Sequence, residues 1–114
     1  NMGRGVAASL ARAGHEVLQY DRSAEAVASS AAQHETIAAV GALADVATDV
    51  AAVLVSVSNE AAERAVFLDA DDGLFAAVAK RPTGVVVLNL GTTSVAWARA
   101  LHAAARDAGL AFLD

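Results

Sequence analysis

The sequence contains no cysteine, one proline and one lysine, and aromatic residues make up only 4% of its 114 positions. The absence of cysteine excludes disulfide scaffolds, thiolate metal sites and cysteine nucleophiles, and it suits a cytoplasmic protein. The three histidines are widely spaced and lack the H-x-x-x-H pattern of a metal site. We therefore expect no bound metal.

Long hydrophobic runs are also missing. No apolar run approaches the roughly 20 residues that a membrane-spanning helix needs, and no segment has the basic start and apolar centre of a signal peptide. Acidic residues outnumber basic residues by 13 to 8, and the formal net charge is -5. Because a protein that binds nucleic-acid phosphates is usually basic, we do not expect nucleic acid as a partner. Because no apolar run is long enough to span a bilayer, we do not expect a membrane either.

Alanine, in contrast, fills 31 positions, and helical periodicity alternates along the chain with short β-branched runs. This alternation predicts an α/β fold with parallel strands, in which Gly14 and Gly109 end helices and Ser23 begins one. The run over 52–57 is continuously apolar, which predicts a strand buried on both faces. The other strands are predicted over 15–20, 36–40, 85–90 and 110–113, and helices over 3–13, 24–32, 42–47, 74–79 and 95–108, with another ending at 67.

Ligands of doubly wound sheets bind beyond the carboxyl ends of the strands, where the loops at 1–3, 21–23, 57–59 and 89–93 are predicted to lie. Asn1, Met2 and Gly3 fit the last three positions of the dinucleotide motif G-x-G-x-x-G, although the strand that precedes this motif is missing. Asp21 follows Gly3 by 18 positions, close to the roughly 20-residue offset of an acid that binds the adenosine ribose. Arg22 suits the 2′-phosphate of NADP, whereas Asp21 repels it. NAD is slightly favoured, and NADP stays open.

Two long stretches resemble the β-hydroxyacid dehydrogenases, the 3-hydroxyisobutyrate dehydrogenase family related to 6-phosphogluconate dehydrogenase. NMGRGVAASLARAGHEVLQYDRS is similar to the family's opening, which reads G-L-G-x-M-G, a helix, A-G-H-x-V and then D-R-S. DGLFAAVAKRPTGVVVLNLGTTSVAWARALHAAARDAGLAFLD is similar to the family's D-G-L, G-x-x-V-V-D-x-S-T-T-S-P and G-x-x-F-L-D. The resemblance implies that 1–114 is a Rossmann-type, three-layer α/β/α domain with a doubly wound parallel sheet that lacks its first strand.

The same resemblance implies which residues bind NAD or NADP. Met2 and Gly3, preceded by Asn1 in the same turn, would lie against the pyrophosphate. The loop of Asp21, Arg22 and Ser23 would meet the adenosine ribose. After the fourth strand of the complete fold, Val57 and Ser58 would flank the cofactor, and Thr92, in the family's S-T-T loop, would lie by the nicotinamide ribose.

Three positions depart from the family's pattern: Asn89 replaces an Asp, Gly91 the first Ser, and Val95 the Pro. The Asn-Leu pair at 89–90 resembles the imine reductases, which share this domain and reduce C=N bonds. The family's substrate motif, D-A-P-V-S-G-G, would begin at Asp114. Its catalytic lysine and a helical domain with most of the dimer contacts would follow. No catalytic residue is therefore predicted within 1–114, and Lys80 is not assigned that role.

Three functions remain open at this point. The first is the NAD(P)-binding domain of a homo-oligomeric oxidoreductase that transfers a hydride between nicotinamide and a small β-hydroxy acid, with the 114 residues inactive alone. The second is the corresponding domain of an imine reductase. The third is a non-catalytic Rossmann-like module that binds a cofactor or a protein partner.

Overall fold

The computed structural model describes residues 2–80 and 84–114, and the chain divides into two compact units, Asn1–Val46 and Ala47–Asp114. All strand pairs in the described residues are parallel, and helices alternate with them, so the predicted α/β class is confirmed. The helices are α1 (Met2–Arg12), α2 (Ala24–Gln33), α3 (Glu60–Leu68), α4 (Leu74–Ala79) and α5 (Val95–Asp107). The strands are β1 (Val17–Gln19), β2 (Ile37–Ala39), β3 (Ala52–Val55), β4 (Val86–Asn89) and β5 (Ala111–Leu113).

In the first unit, β1 and β2 form a two-stranded parallel sheet in which Val17 is opposite Ile37. Helix α2 begins at Ser23, whose hydroxyl oxygen accepts a hydrogen bond from the Ala26 N–H at 3.3 Å. The buried apolar side chains of this unit are small or β-branched, because alanine and valine are the commonest apolar residues here. They are Ala7, Val27 and Ile37.

In the second unit, the parallel sheet has the order β3-β4-β5. All three phenylalanines of the protein pack on one another in this unit, with ring centroids 5.2 to 5.8 Å apart. Phe67 comes from α3, Phe75 from α4 and Phe112 from β5, and all three are buried. Burying one such side chain contributes about 1.5–3 kcal/mol to stability, so this cluster is the main apolar core of the second unit.

Glycines end the first and last helices, as the sequence predicts. Gly14 has φ +93° and Gly109 has φ +73°, a conformation that residues with a Cβ rarely adopt. At the end of α1, the Gly14 N–H donates to the Ala11 carbonyl at 3.0 Å and the His15 N–H donates to the Leu10 carbonyl at 3.0 Å. The same pair of bonds ends α5 around Gly109, so both helices have a Schellman C-cap.

Two predictions from the sequence are corrected. Strand β3 is not buried on both faces: Val53 and Val55 are buried, whereas Ala52 and Leu54 between them are exposed, Leu54 by 38%. Only the face of β3 that carries Val53 and Val55 is covered. The segment predicted as a helix over 42–47 is a 3-10 helix, Leu43–Ala47. Of the predicted loop over 80–84, residues 81–83 lie outside the described part of the chain.

The strands are shorter than predicted, because the outer residues of each apolar run leave the sheet and enter loops. No helix within 2–80 or 84–114 has the length and hydropathy needed to cross a membrane.

Candidate functional site

In the first unit, two of the predicted site residues begin a helix. Met2 and Gly3 occupy the first turn of α1, where backbone N–H groups have no intrahelical partners, and that turn contains no acidic residue. Met2 is exposed and Gly3 is half-buried. A helix start of this kind favours an anionic group such as a phosphate. Asn1 lies outside the described residues.

The second predicted group of the first unit follows β1. Asp21, Arg22 and Ser23 are all exposed. The Asp21 Oδ1 accepts a hydrogen bond from the Ser23 N–H at 2.8 Å, and Ser23 in turn caps α2. This loop is therefore held by its own side chains. A carboxylate has several acceptor positions, so Asp21 can also accept hydrogen bonds from the hydroxyls of a ligand.

In the second unit, the loops after β3 and β4 leave neighbouring strands at the same edge of the sheet. Val55 is opposite Asn89 in the register, and the Leu90 N–H donates to the Val55 carbonyl at 2.8 Å. The structure thus brings the loop of Val57 and Ser58 beside the loop that contains Thr92. Val57 is half-buried, and both Ser58 and Thr92 are exposed.

A buried polar turn supports the loop after β4. Asn89 is only 3% exposed, and its Oδ1 accepts a hydrogen bond from the Gly91 N–H at 3.0 Å. An aspartate at 89 supplies the same acceptor, so the departure from the family's pattern preserves this turn. It also adds an amide donor: the Asn89 Nδ2 is buried and, within the described residues, has no hydrogen-bond partner. The Thr93 hydroxyl oxygen is likewise buried and has no hydrogen-bond partner in the described part of the chain.

Glu63 was not predicted to be part of the site. This residue of α3 is 1% exposed, and its Oε2 accepts a hydrogen bond from the Trp97 indole N–H at 2.5 Å. Trp97 is itself a packing residue, only 3% exposed, and its polar partner was not predicted. One signal was present: Glu63 precedes Phe67 by four positions, so the two share one face of α3 and are buried together.

Other candidate groups stay outside the site. Lys80 is exposed at the end of α4. Among the residues that the structure describes, no group of three or more His, Asp or Glu side chains is arranged to hold a metal ion. The candidate site therefore consists, in each unit separately, of the loops described above.

The fold is shared with a solved structure. "Psf3 in complex with NADP+ and 2-OPP" matches 97% of this chain with a TM-score of 0.86 and 22% sequence identity. The match establishes the Rossmann-like α/β architecture predicted from the sequence, and the chain spans 37% of the length of that structure. No curated protein matches the chain.

A family model also matches the sequence, from residue 1 to residue 114, which is the whole chain. It is described as the NAD binding domain of 6-phosphogluconate dehydrogenase. The cofactor of such a domain is a nicotinamide dinucleotide, as predicted from the sequence. The chain therefore belongs to the family of NAD-binding domains of 6-phosphogluconate dehydrogenase.

Proposed function

We propose that the chain is the NAD(P)-binding domain of an oxidoreductase that transfers a hydride between nicotinamide and a small β-hydroxy acid, as the 3-hydroxyisobutyrate dehydrogenases do. The family match over 1–114 carries the proposal. The polar loops after β1, β3 and β4 support it, because doubly wound sheets bind their ligands at this edge. In such an enzyme the bound dinucleotide supplies the hydride chemistry, and the protein binds and orients it.

In this proposal each loop has a role. The helix start at Met2 and Gly3, with Asn1, binds the pyrophosphate, since its N–H groups lack intrahelical partners. The exposed Asp21 accepts hydrogen bonds from the adenosine ribose, with Arg22 and Ser23 in the same loop. Val57 and Ser58 flank the cofactor, and Thr92 lies by the nicotinamide ribose. In this proposal the catalytic lysine and the substrate-binding residues belong to a helical domain of the longer protein, so the 114 residues alone are expected to be inactive.

We also propose that the domain of 1–114 is a truncated one. In this proposal β1 and β2 correspond to the second and third strands of the complete fold. Strands β3, β4 and β5 correspond to the fourth, fifth and sixth. In this proposal the longer protein is a cytoplasmic homo-oligomer.

The choice between NAD and NADP turns on two neighbouring residues with opposite charges. Asp21 favours the free ribose hydroxyls of NAD, whereas Arg22 suits the 2′-phosphate of NADP, the cofactor form present in the Psf3 complex. Charged hydrogen bonds contribute about 1.5–3 kcal/mol, which is roughly a tenfold to hundredfold change in affinity. NADH and NADPH binding to the chain, measured by nicotinamide fluorescence, tests the proposal.

We expect Asp21→Ala to weaken NADH binding by about that factor and Arg22→Ala to weaken NADPH binding. Glu25→Ala, an exposed acid of α2 just beyond the loop, is the matched control and should leave both affinities unchanged. If the unaltered chain binds neither NADH nor NADPH, the cofactor role of these loops is wrong.

A second candidate rests on Asn89 and Leu90, the pair that resembles the imine reductases. The two enzyme functions are separated by assaying the longer protein that contains 1–114 with NADPH and a cyclic imine, and with NAD⁺ and 3-hydroxyisobutyrate. Oxidation of the hydroxy acid supports the first function, and reduction of the imine supports the second. Dinucleotide binding without either reaction favours the non-catalytic module.

A further inference from the structure

We propose that Glu63 is a positioning residue for the loop over 90–94, which follows β4. Its buried carboxylate binds Trp97 of α5 through one oxygen and fills the space beside Gly91 with the other. The inference rests on the proposed function in one respect only, namely that this loop contacts the dinucleotide through Thr92.

Glu63 is a buried acid in the first turn of α3. Glu63 is 1% exposed, and a buried acidic side chain is unfavourable unless hydrogen bonds compensate for lost water. The Trp97 indole N–H donates to the Glu63 Oε2 across 34 positions of sequence. This bond joins the first turn of α3 to the first turn of α5. Trp97 is the one tryptophan of the protein, so this bond is also the environment that its fluorescence reports.

The Glu63 carboxylate also fills the space beside Gly91. A Cβ on Gly91 would overlap the Glu63 Oε1, because the two atoms would be closer than real Cβ contacts essentially ever are. The same Cβ would lie 3.2 Å from the Asn89 Oδ1. Gly91 does not have the positive φ of Gly14 or Gly109, so backbone conformation does not require glycine here. Instead, the end of the Glu63 side chain, which is bound to Trp97, fills the space that a Cβ would need.

The contacts of Glu63 and Trp97 lie at both ends of the loop over 90–94. At its start, the Gly91 N–H donates to the Asn89 Oδ1 at 3.0 Å. At its end, Ser94 caps α5 by accepting a hydrogen bond from the Trp97 backbone N–H at 3.1 Å. Trp97 is bound to Glu63, and Glu63 contacts Gly91. The loop is thus held at both ends by groups that meet at one carboxylate.

A charged neighbour reinforces the arrangement. The Arg64 guanidinium lies 4.1 Å from the centroid of the Trp97 ring, and the same group forms an ion pair with Glu60 at 2.8 Å. A cation over an indole ring is attracted by the electrons of its face. The Trp97 ring is therefore held at its edge by Glu63 and at its face by Arg64.

Four variants of the chain test this proposal: Glu63→Gln, Glu63→Asp, Gly91→Ala and the double variant of Glu63→Asp with Gly91→Ala. Glutamine retains the length and an oxygen acceptor for the indole N–H. Aspartate is one methylene shorter, so it withdraws from both Trp97 and position 91. Glu25→Gln in the first turn of α2 is the matched control for removing an acid from an exposed helix start.

The readouts are Trp97 fluorescence, amide hydrogen exchange over 90–94 and NADH affinity. We expect Glu63→Gln to keep the wild-type emission spectrum and exchange rates. Glu63→Asp should shift the emission and accelerate exchange in the loop by about tenfold to a hundredfold, because a buried donor loses its partner. Gly91→Ala should have a similar effect alone and a much smaller effect when Glu63 is already aspartate. NADH affinity should fall wherever loop exchange accelerates.

The proposal is overturned if Glu63→Asp leaves both the emission spectrum and the loop exchange unchanged, or if Gly91→Ala is equally harmful beside glutamate and beside aspartate. A failure of the proposed function gives a different result: the unaltered chain then binds no NADH, while emission and exchange still respond to the variants. If NADH affinity is retained in variants whose loop exchange has accelerated, the positioning role is wrong although the cofactor role stands.

Discussion

The two predicted binding loops with the most polar character, one in each unit, are stabilised in opposite ways. In the first unit, Asp21 and Ser23 are exposed and form hydrogen bonds within a few positions of sequence. In the second unit, the loop after β4 depends on buried groups, and Trp97 reaches Glu63 across 34 positions. The comparison shows that a turn built from local bonds can be recognised from its sequence, whereas a turn built on buried long-range bonds depends on how its helices pack.

The two units also differ in the size of the side chains in their cores. The first unit buries Ala7, Val27 and Ile37, and the second contains all three phenylalanines together with Trp97. Aromatic side chains bury far more apolar surface than alanine or valine, so each truncation in the second core should have a larger effect.

Removing the most deeply buried aromatic ring should destabilise the second unit most. We expect Phe67→Ala to lower the free energy of unfolding by about 3–5 kcal/mol, because Phe67 is fully buried and packs on both other rings. Ile37→Val in the first core should lower it by only about 0.5–1.5 kcal/mol. Urea unfolding followed by circular dichroism measures both. Equal losses would contradict the difference between the cores.

Replacing Asn89 separates its acceptor from its donor. Asn89→Leu leaves the Gly91 N–H without its partner, and we expect a loss of about 1–3 kcal/mol in the free energy of unfolding. Asn89→Asp keeps the acceptor and should be far milder. Asp21→Ala removes the corresponding acceptor of the exposed loop, where water replaces it, and should change stability by less than about 0.5 kcal/mol. A large loss for Asp21→Ala would remove the contrast between the two loops.

Both units should respond alike at their glycine caps. Gly14 and Gly109 have positive φ, and a Cβ at either position would meet no atom within 4 Å. Alanine there is disfavoured by its backbone conformation alone, so Gly14→Ala and Gly109→Ala should each lower the free energy of unfolding by about 1–2 kcal/mol. Thermal unfolding of the two variants measures this. A loss at only one site would show that tertiary contacts, not the cap, decide the effect.

The smallest expected effect concerns Asp69 in the loop between α3 and α4. Its Oδ1 accepts hydrogen bonds from the Asp72 N–H at 2.8 Å and the Asp71 N–H at 2.9 Å, and these bonds lower the pKa of this carboxyl below its ordinary value of 3.8. Because the folded-state pKa is the lower one, the stabilisation is fully present above pH 3.8 and is lost as the pH falls through the folded-state pKa.

A carboxyl titration of Asp69 by NMR measures that pKa directly. A midpoint for Asp69 at or above 3.8 would contradict the prediction. Since the group is on the surface, the corresponding change in stability should be slight.

Much of the fold is predictable because its signals are local. The capping residues Ser23, Gly14 and Gly109 mark helix ends through bonds to residues at most five positions away, and the three valines at 85–87 mark a strand. The candidate loops follow from the rule that ligands bind at the carboxyl ends of parallel strands. The partial burial of β3 was not predictable, since an apolar run does not say whether both faces of its strand are covered.

The amino-acid sequence sufficed for the class of fold and the family, and it predicts the loops that would bind the cofactor. Helix caps, apolar periodicity and the spacing from Gly3 to Asp21 depend on neighbouring residues, so they can be read along the chain. The three-dimensional structure was needed to find that Glu63 is buried, that it binds Trp97, and that its carboxylate fills the space beside Gly91. An acid near a helix start normally faces water, and only the packing of α3 against α5 and the Gly91 turn removes that water.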